Sequence, residues 1–332
     1  MMSFFPVTHS ILSASHLAEF IQCRYDFGAD IQCKLMKSGI NDTYLVSAGQ
    51  NQFVFRVYSL NWRKPAEIEA EIYFLNQLKA TNISISYPIN DVQGVYIQNL
   101  PAPEGLRYGL MFSYAPGSKL HEVSGELHYE IGRTVGRIHQ IARNQKIDRI
   151  NYSLEVLMVE SLAQISHFLS PDSIEMKYLE SLQGFIIDQL RVADINNMQS
   201  GIVHLDIWFD NLNIDEDGKI TIFDFDFCGN GWLSLDVAYY IMQLHNIEKY
   251  ETAKYQPKID QFLEGYESLN FLSLEEKRLL PVLGLSLYFF YLGTQCQRFE
   301  NWSNAFLNEN YLKRFVNMII KRYADIYHIP SN

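Results

Sequence analysis

Along the first 115 positions, apolar and polar residues alternate in short β-branched and aromatic runs, and this pattern predicts a strand-rich region. Asn41 to Ala48 and Phe53 to Tyr58 flank the polar stretch Gly49 to Gln52 and read as an antiparallel hairpin. In its second strand Phe53, Phe55 and Val57 share one face, and Arg56 points to the other. From Ala66 to Ala80 the period changes. Ile68, Ile72, Leu75 and Leu78 recur at helical spacing, and Glu71 falls inside that stripe. A carboxylate on a packing face needs a partner, because desolvating an unpaired charge costs several kcal/mol. Arg56 on the preceding strand is the candidate. Apolar runs resume at Val92 to Gln98 and Tyr108 to Tyr114 before Ala115-Pro116-Gly117 interrupts the chain.

Beyond that break helical spacing dominates, over Leu127 to Arg143, Leu154 to Phe168, Ile174 to Ala193 and several aromatic-rich segments after Leu235. The exception is Ile202 to Phe227. There two β-like runs, Ile202 to His204 and Ile220 to Phe227, surround the turn Asp215-Glu216-Asp217-Gly218. The run Leu279 to Gly293, interrupted by Pro281, falls short of the roughly 20 residues that a membrane-spanning helix needs and reads as a buried helix. The break near Pro116 divides the chain into an N-terminal lobe, residues 1–114, and a C-terminal lobe, residues 115–332. A length of 332 residues fits two such bodies better than one.

Composition narrows the classes. With 48% hydrophobic and 20% charged residues the chain can bury a full core. A net charge of -11, without a long Lys/Arg run, makes nucleic acid an unexpected partner. Cys23, Cys33, Cys228 and Cys296 lie far apart and suggest reduced thiols rather than a disulfide framework or a zinc site. The first Lys or Arg is Arg24, so the apolar start lacks the basic region of a signal peptide. A cytoplasmic protein without a membrane partner is the expectation, with its oligomeric state left open.

The strand-rich island inside the helical lobe carries the chemistry. His204-Leu205-Asp206 is followed five residues later by Asn211, and thirteen residues after that by Asp224 in Ile222-Phe223-Asp224-Phe225-Asp226. Phosphoryl transfer needs a carboxylate to orient the attacking hydroxyl and take its proton, and oxygen ligands to hold Mg²⁺ against the phosphates. Asp206 would be the catalytic aspartate, and Asn211 and Asp224 the metal ligands. Strand alternation places Asp226 on the face of Asp224, as a further metal ligand or an acceptor behind it. His204 reads as a scaffold residue and His139 as a core-edge residue. The acidic residues Asp210, Asp215, Glu216 and Asp217 read as a solvated turn.

Val203 to Asn211 together with Ile222 to Asp226 resembles the shared motif of aminoglycoside phosphotransferases, choline kinases and type II homoserine kinases. That resemblance implies an α+β, protein-kinase-like bilobal fold with a β-rich N-lobe and a mainly helical C-lobe. It also implies ATP and Mg²⁺ as cofactors and a small-molecule hydroxyl as acceptor. Ser38-Gly39-Ile40-Asn41-Asp42-Thr43-Tyr44 is similar to the family's nucleotide-covering loop, which assigns Ser38 and Asn41 to the nucleotide. Arg56 stands where the family carries a basic strand residue, often lysine, and Glu71 matches its helix partner. Leu110 to Gly117 resembles the hinge, so Phe112 would border adenine and the backbone of Ser113 and Ala115 would bond it. Asp236 resembles the aspartate that braces the catalytic loop. Trp208-Phe209-Asp210 departs from the small residues or proline common in relatives. Arg298 and Trp302 resemble a C-terminal pair that reaches substrate, although packing explains them equally.

The rival class is a catalytically silent pseudokinase that binds a nucleotide or partner protein. Loss of Asp206 or Asp224 would favour it, and both are present. For the acceptor, Glu248, Glu251, Asp260, Glu264, Glu267, Glu275 and Glu276 are interleaved with Tyr239, Tyr240, Tyr250, Tyr255, Tyr266 and Trp302. Carboxylates and aromatic faces together suit a cationic small molecule. The plainer reading of the same residues is an acidic outer face with its aromatics turned inward.

Overall fold

The alternation read in Asn41 to Ala48 appears in the computed structural model, which describes residues 5–28, 30–119, 124–248 and 251–330, as strict alternation of burial along one strand. The chain forms two units. The first comprises Met1–Pro116 with Glu300–Trp302, the second Gly117–Phe299 with Ser303–Asn332.

The first unit is built on an antiparallel sheet. Its strands are β1 (Ile31–Ser38), β2 (Asn41–Ala48), β3 (Asn51–Tyr58), β4 (Pro88–Ile89), β5 (Ile97–Ala102) and β6 (Gly105–Ser113), ordered β1-β2-β3-β6-β4 with β5 on β6. Helix α1 (Ala14–Arg24) covers one face, where Leu17 and Ile21 pack on Tyr44, Val46, Phe55, Val57 and Met111. Helix α2 (Pro65–Ala80) serves the other face, and its buried stripe includes Ile68, Glu71, Ile72, Leu75 and Leu78. Proline at its first position suits a turn whose N–H would lack a partner, and Glu67 accepts the Lys64 N–H at 2.8 Å.

Three expectations change here. Helix α1 lies in a region read as strand-rich. β3 starts at Asn51, which shortens the hairpin turn to Gly49-Gln50. The run Val92 to Gln98 is mostly a turn, with β5 following it. The Asp91 carboxylate collects the N–H groups of Gln93 and Val95, both at 2.9 Å, and Gly94 takes a φ of 81°.

The second unit is helical: α3 (Gly125–Ala142), a π-turn Glu155–Glu160 running into α4 (Ser161–Ile165), α5 (Ile174–Val192), α6 (Ser234–Ile247), α7 (Thr252–Glu267), α8 (Leu274–Gln297), α9 (Glu309–Phe315) and α10 (Lys321–Ile326). Backbone contact joins α3 to α7. A Cβ on Gly132 would stand 2.1 Å from Phe262 O, so only glycine fits there. Helix α8 continues through Pro281 and is longer than the run read from sequence. By length and composition it could cross a membrane, yet 83% of its most apolar window is buried inside the protein.

Two short ribbons interrupt the helices. β7 (Ser200–Val203) pairs with β10 (Gly229–Trp232), and β8 (Leu212–Ile214) with β9 (Ile220–Ile222). The expected strand Ile220 to Phe227 therefore ends at Ile222. Asp224 turns the chain with φ 64° and ψ 63°, and Phe225–Phe227 forms a 3₁₀ turn before β10.

Candidate active site

The loop after β7 is fixed from behind by one carboxylate. Asp236, in the first turn of α6 and fully buried, accepts the His204 N–H at 2.8 Å, the Leu205 N–H at 2.6 Å and His139 Nε2 at 2.9 Å. Leu205 sits at φ 64°, a conformation that costs an L-residue about 1 to 2 kcal/mol. Bonds to Asp236 on its N–H and from the Tyr291 hydroxyl to its carbonyl hold it there. Asp236 thus ties the backbone of this loop to α3 and α6.

His204 is a scaffold residue, as its neighbours require. Its Nδ1 accepts the Asp206 N–H at 3.1 Å, which leaves the proton on Nε2, 3.1 Å from Phe223 O. Complete burial lowers its pKa against the opposing pull of Asp236 and Asp224, so the ring is neutral.

Asp206 presents a carboxylate held at both oxygens. The Tyr239 hydroxyl donates to Oδ1 at 2.5 Å, and Asn211 Nδ2 donates to Oδ2 at 2.6 Å. Burial, reinforced by Asp206, drives the Tyr239 pKa well above its ordinary value, so the phenol stays a donor. Because the NH₂ end of Asn211 serves Asp206, its Oδ1 is the atom that could ligate a cation. Asp224 adds a carboxylate from its left-handed turn. Among the described residues no group of three or more His, Cys, Asp or Glu could hold a metal unaided. A carboxylate and an amide oxygen, completed by water and phosphate oxygens, is a donor set that suits Mg²⁺.

The strand alternation invoked for Asp226 fails. With β9 ended, strand alternation no longer relates it to Asp224. It is buried with its carboxylate 3.8 Å from Arg149 Nη2, and Arg149 also donates to Asp226 O at 2.6 Å and Phe225 O at 3.3 Å. The Tyr152 hydroxyl takes Phe227 O at 2.5 Å. The pair Asp226 and Arg149 therefore supports the turn that presents Asp224. The acidic turn is structural, as expected: Asp215 accepts the Asp217 and Lys219 N–H groups, and Asp210 lies 3.4 Å from Lys119.

In the first unit Arg56 and Glu71 form the expected ion pair, Nη1 to Oε1 at 2.9 Å, with the Tyr58 hydroxyl on Oε2 at 3.0 Å. The guanidinium also lies 4.7 Å from the Phe112 ring centre. Ser38 ends β1 and donates its hydroxyl to Asp42 at 2.6 Å, and Asn41 Oδ1 accepts the Ser59 N–H at 3.3 Å. At the hinge the Ser113 N–H already goes to Tyr87 O at 2.9 Å and its carbonyl accepts from Ser86 at 2.5 Å. Of the Ser113 backbone only the second carbonyl lone pair remains to serve a base, beside Ala115.

Four positioning residues, His139, Arg149, Tyr239 and Tyr291, escaped the sequence reading as members of this site. Their contacts span 76 to 97 positions for all but Tyr239, which reaches Asp206 across 33. Spacing carries no signal for such pairs. Four of the seven acidic residues offered as a cation-steering set are paired with basic side chains: Glu248 with Lys258, Glu251 with Lys254, Glu267 with Lys277 and Glu275 with Arg278. Glu276 caps α8, while Tyr239, Tyr240, Tyr255 and Tyr266 are buried, and Tyr250 lies outside the described residues. The described tyrosines of this set thus turn inward, and most of its carboxylates carry a basic partner. Arg298 follows the last residue of α8, Gln297, and Trp302 belongs to the first unit.

Known proteins resemble the chain over most of its length. Amicoumacin kinase of Bacillus subtilis is 25% identical over 254 residues, covering 73% of each chain. Homoserine kinase of Rhizobium etli is 25% identical over 269 residues, 80% of this chain and 81% of that one. Among solved structures, a microcompartment-associated aminopropanol kinase superposes with a TM-score of 0.76 at 18% identity, covering 96% of this chain and all of that one (100%). An amicoumacin kinase in complex with AMP-PNP and Ca²⁺ gives 0.76 at 19% identity, with 94% of each chain covered. These likenesses carry the mixed fold of a β-sheet N-terminal part and a helical C-terminal part. With residues 33–272 matching its family model, the chain belongs to the phosphotransferase enzyme family and is a small-molecule kinase.

Proposed function

We propose that this kinase transfers the γ-phosphoryl group of Mg-ATP to the hydroxyl of a small amino alcohol. The observation that carries the reading is the Asp206 carboxylate, held at both oxygens by Tyr239 and Asn211 on a loop that Asp236 and Tyr291 lock. A fixed carboxylate can orient an acceptor hydroxyl and receive its proton as the bond to phosphorus forms. Asn211 Oδ1 and Asp224 would hold Mg²⁺, which neutralises phosphate charge when bound. The first unit would take the nucleotide: the turn after Ser38 and Asn41 over the phosphates, Arg56 set by Glu71 near them, and the Ser113 carbonyl with Ala115 against adenine. Nucleotide and divalent-ion complexes of structural relatives support this assignment. The acceptor class rests on relatives named for amicoumacin, aminopropanol and homoserine rather than on the paired surface carboxylates.

Intact Asp206, Asn211 and Asp224 favour catalysis over a pseudokinase. Screening amino alcohols, homoserine and aminoglycosides as acceptors with Mg-ATP tests the reading. In the best pairing Asp206→Asn should lower kcat by about 1000-fold while nucleotide affinity stays near that of the parent protein. A variant that keeps more than about a tenth of the parent kcat, under ~1.4 kcal/mol in barrier terms, refutes the role of Asp206.

A further inference from the structure

The first unit buries a second charge cluster on the α1 face of its sheet, opposite Arg56. Arg107 on β6 is 1% exposed, and its guanidinium donors meet five acceptors. Nε–H reaches Tyr58 O at 2.8 Å. Nη1 reaches Ser10 O at 2.7 Å and Glu104 Oε1 at 3.4 Å, while Nη2 reaches Asp42 Oδ2 at 2.8 Å and Val57 O at 3.2 Å. Glu104 in turn accepts the Ser10 N–H at 3.1 Å and hydroxyl at 2.6 Å. The Tyr44 hydroxyl takes Leu12 O at 2.7 Å, Asn301 donates to Thr8 O at 3.2 Å, and His9 Nε2 lies 3.8 Å from Asp42. Residues 8–12 are thereby strapped to the sheet.

A buried guanidinium with two carboxylates is a poor route to stability, since well-packed apolar residues often do as well without the desolvation penalty. Its effect here is geometric. Asp42 Oδ1 takes the Ser38 hydroxyl, at the last residue of β1. Arg107 fixes the carbonyls of Val57 and Tyr58, and Tyr58 pairs with Asn41 across β2 and β3. Both shoulders of the two-residue turn Gly39-Ile40 are therefore tied to one guanidinium. These ties add to the strand pairing, which resumes at Lys37 and Ser38 after a register shift between Leu35 and Lys37.

We propose that Asp42, Arg107 and the strap formed by residues 8–12 are positioning residues for the turn Ser38 to Asn41, setting its backbone for nucleotide phosphates without touching them. This rests on the proposed nucleotide-kinase reading. Backbone N–H groups of a turn act on phosphate charge, so their misplacement should weaken phosphate-bearing nucleotides and spare the nucleoside. The test is displacement of a fluorescent ATP analogue by ATP and by adenosine, on the intact chain, on a deletion of residues 1–12 and on the milder Ser10→Ala. ATP should bind about tenfold more weakly to the deletion and about threefold more weakly to Ser10→Ala, with adenosine within about twofold in both. Equal weakening of ATP and adenosine, or no change in either, overturns the inference, and Ser10→Ala decides alone if the deletion does not fold. If the intact chain binds no ATP, the nucleotide reading falls and takes this inference with it.

Discussion

Replacing Asp236 by asparagine separates the brace from the chemistry it supports. In the native loop its two oxygens take three hydrogen bonds, from His204 N, Leu205 N and His139 Nε2, at 2.6 to 2.9 Å and out of contact with solvent. An amide keeps one acceptor oxygen and turns an NH₂ group toward donors, so at least one buried backbone N–H loses its partner. Hydrogen bonds to a charged group contribute about 1.5 to 3 kcal/mol each, and an unsatisfied buried donor costs about 1 to 3 kcal/mol. With the two bonds at Oδ2 kept by the amide oxygen and the Leu205 N–H left facing an NH₂ group, the lost bond and the unsatisfied donor together cost about 3 to 5 kcal/mol. Against a total stability of about 5 to 15 kcal/mol the variant folds at 25 °C if the parent lies above the lower end of that range. Function should suffer beyond that. Leu205 is held at φ 64° partly by Asp236, and its relaxation displaces Asp206, where a 1 Å error costs about 100-fold in rate. Urea unfolding followed by circular dichroism gives the first quantity, and kcat with nucleotide affinity in the acceptor assay gives the second. A loss under about 1 kcal/mol, or a kcat within about threefold of the parent, would refute the account of Asp236 as the brace.

Tyr239→Phe should lower kcat about tenfold without changing nucleotide KM, because the Asp206 carboxylate loses a donor; Tyr288→Phe, which removes a comparable bond to Asn246, should leave kcat alone. Glu71→Ala removes the carboxylate that answers the buried Arg56 charge and should cost about 3 to 5 kcal/mol in urea unfolding, whereas Glu69→Ala on the exposed side of α2 should stay within about 0.5 kcal/mol. Burial, with Arg322 adding to it, pushes the His245 pKa down to about 4. The unfolded chain binds that proton near 6.5 and the folded chain does not, so stability is complete above 6.5 and falls as the pH drops toward 4. Between pH 7 and pH 5 the loss should be about 2 kcal/mol, and His245→Gln should remove that share of the slope; an unchanged slope would count against it.

The residues of the proposed site, with the scaffold residue His204, were legible in the sequence because their order is local. His204, Asp206, Asn211 and Asp224 fall within 21 positions, and the spacing is set by the ribbon-and-turn backbone they occupy. Arg56 and Glu71 were legible for a different reason: a charge on the packing face of an amphipathic helix must be answered from the nearest strand. What holds those residues still was decided only in three dimensions. Asp226 looked equivalent to Asp224 until the strand ended at Ile222 and a left-handed turn broke the two-residue period. Tyr291 on α8 and His139 on α3 reach the catalytic loop across 86 and 97 positions, distances at which no periodicity links one residue to another. The strap at residues 8–12 is likewise silent in the sequence, since Ser10, Glu104 and Arg107 become a cluster only once α1 and β6 bring them together. Local spacing picked out the groups proposed to react, whereas burial against distant helices determined how firmly they are held.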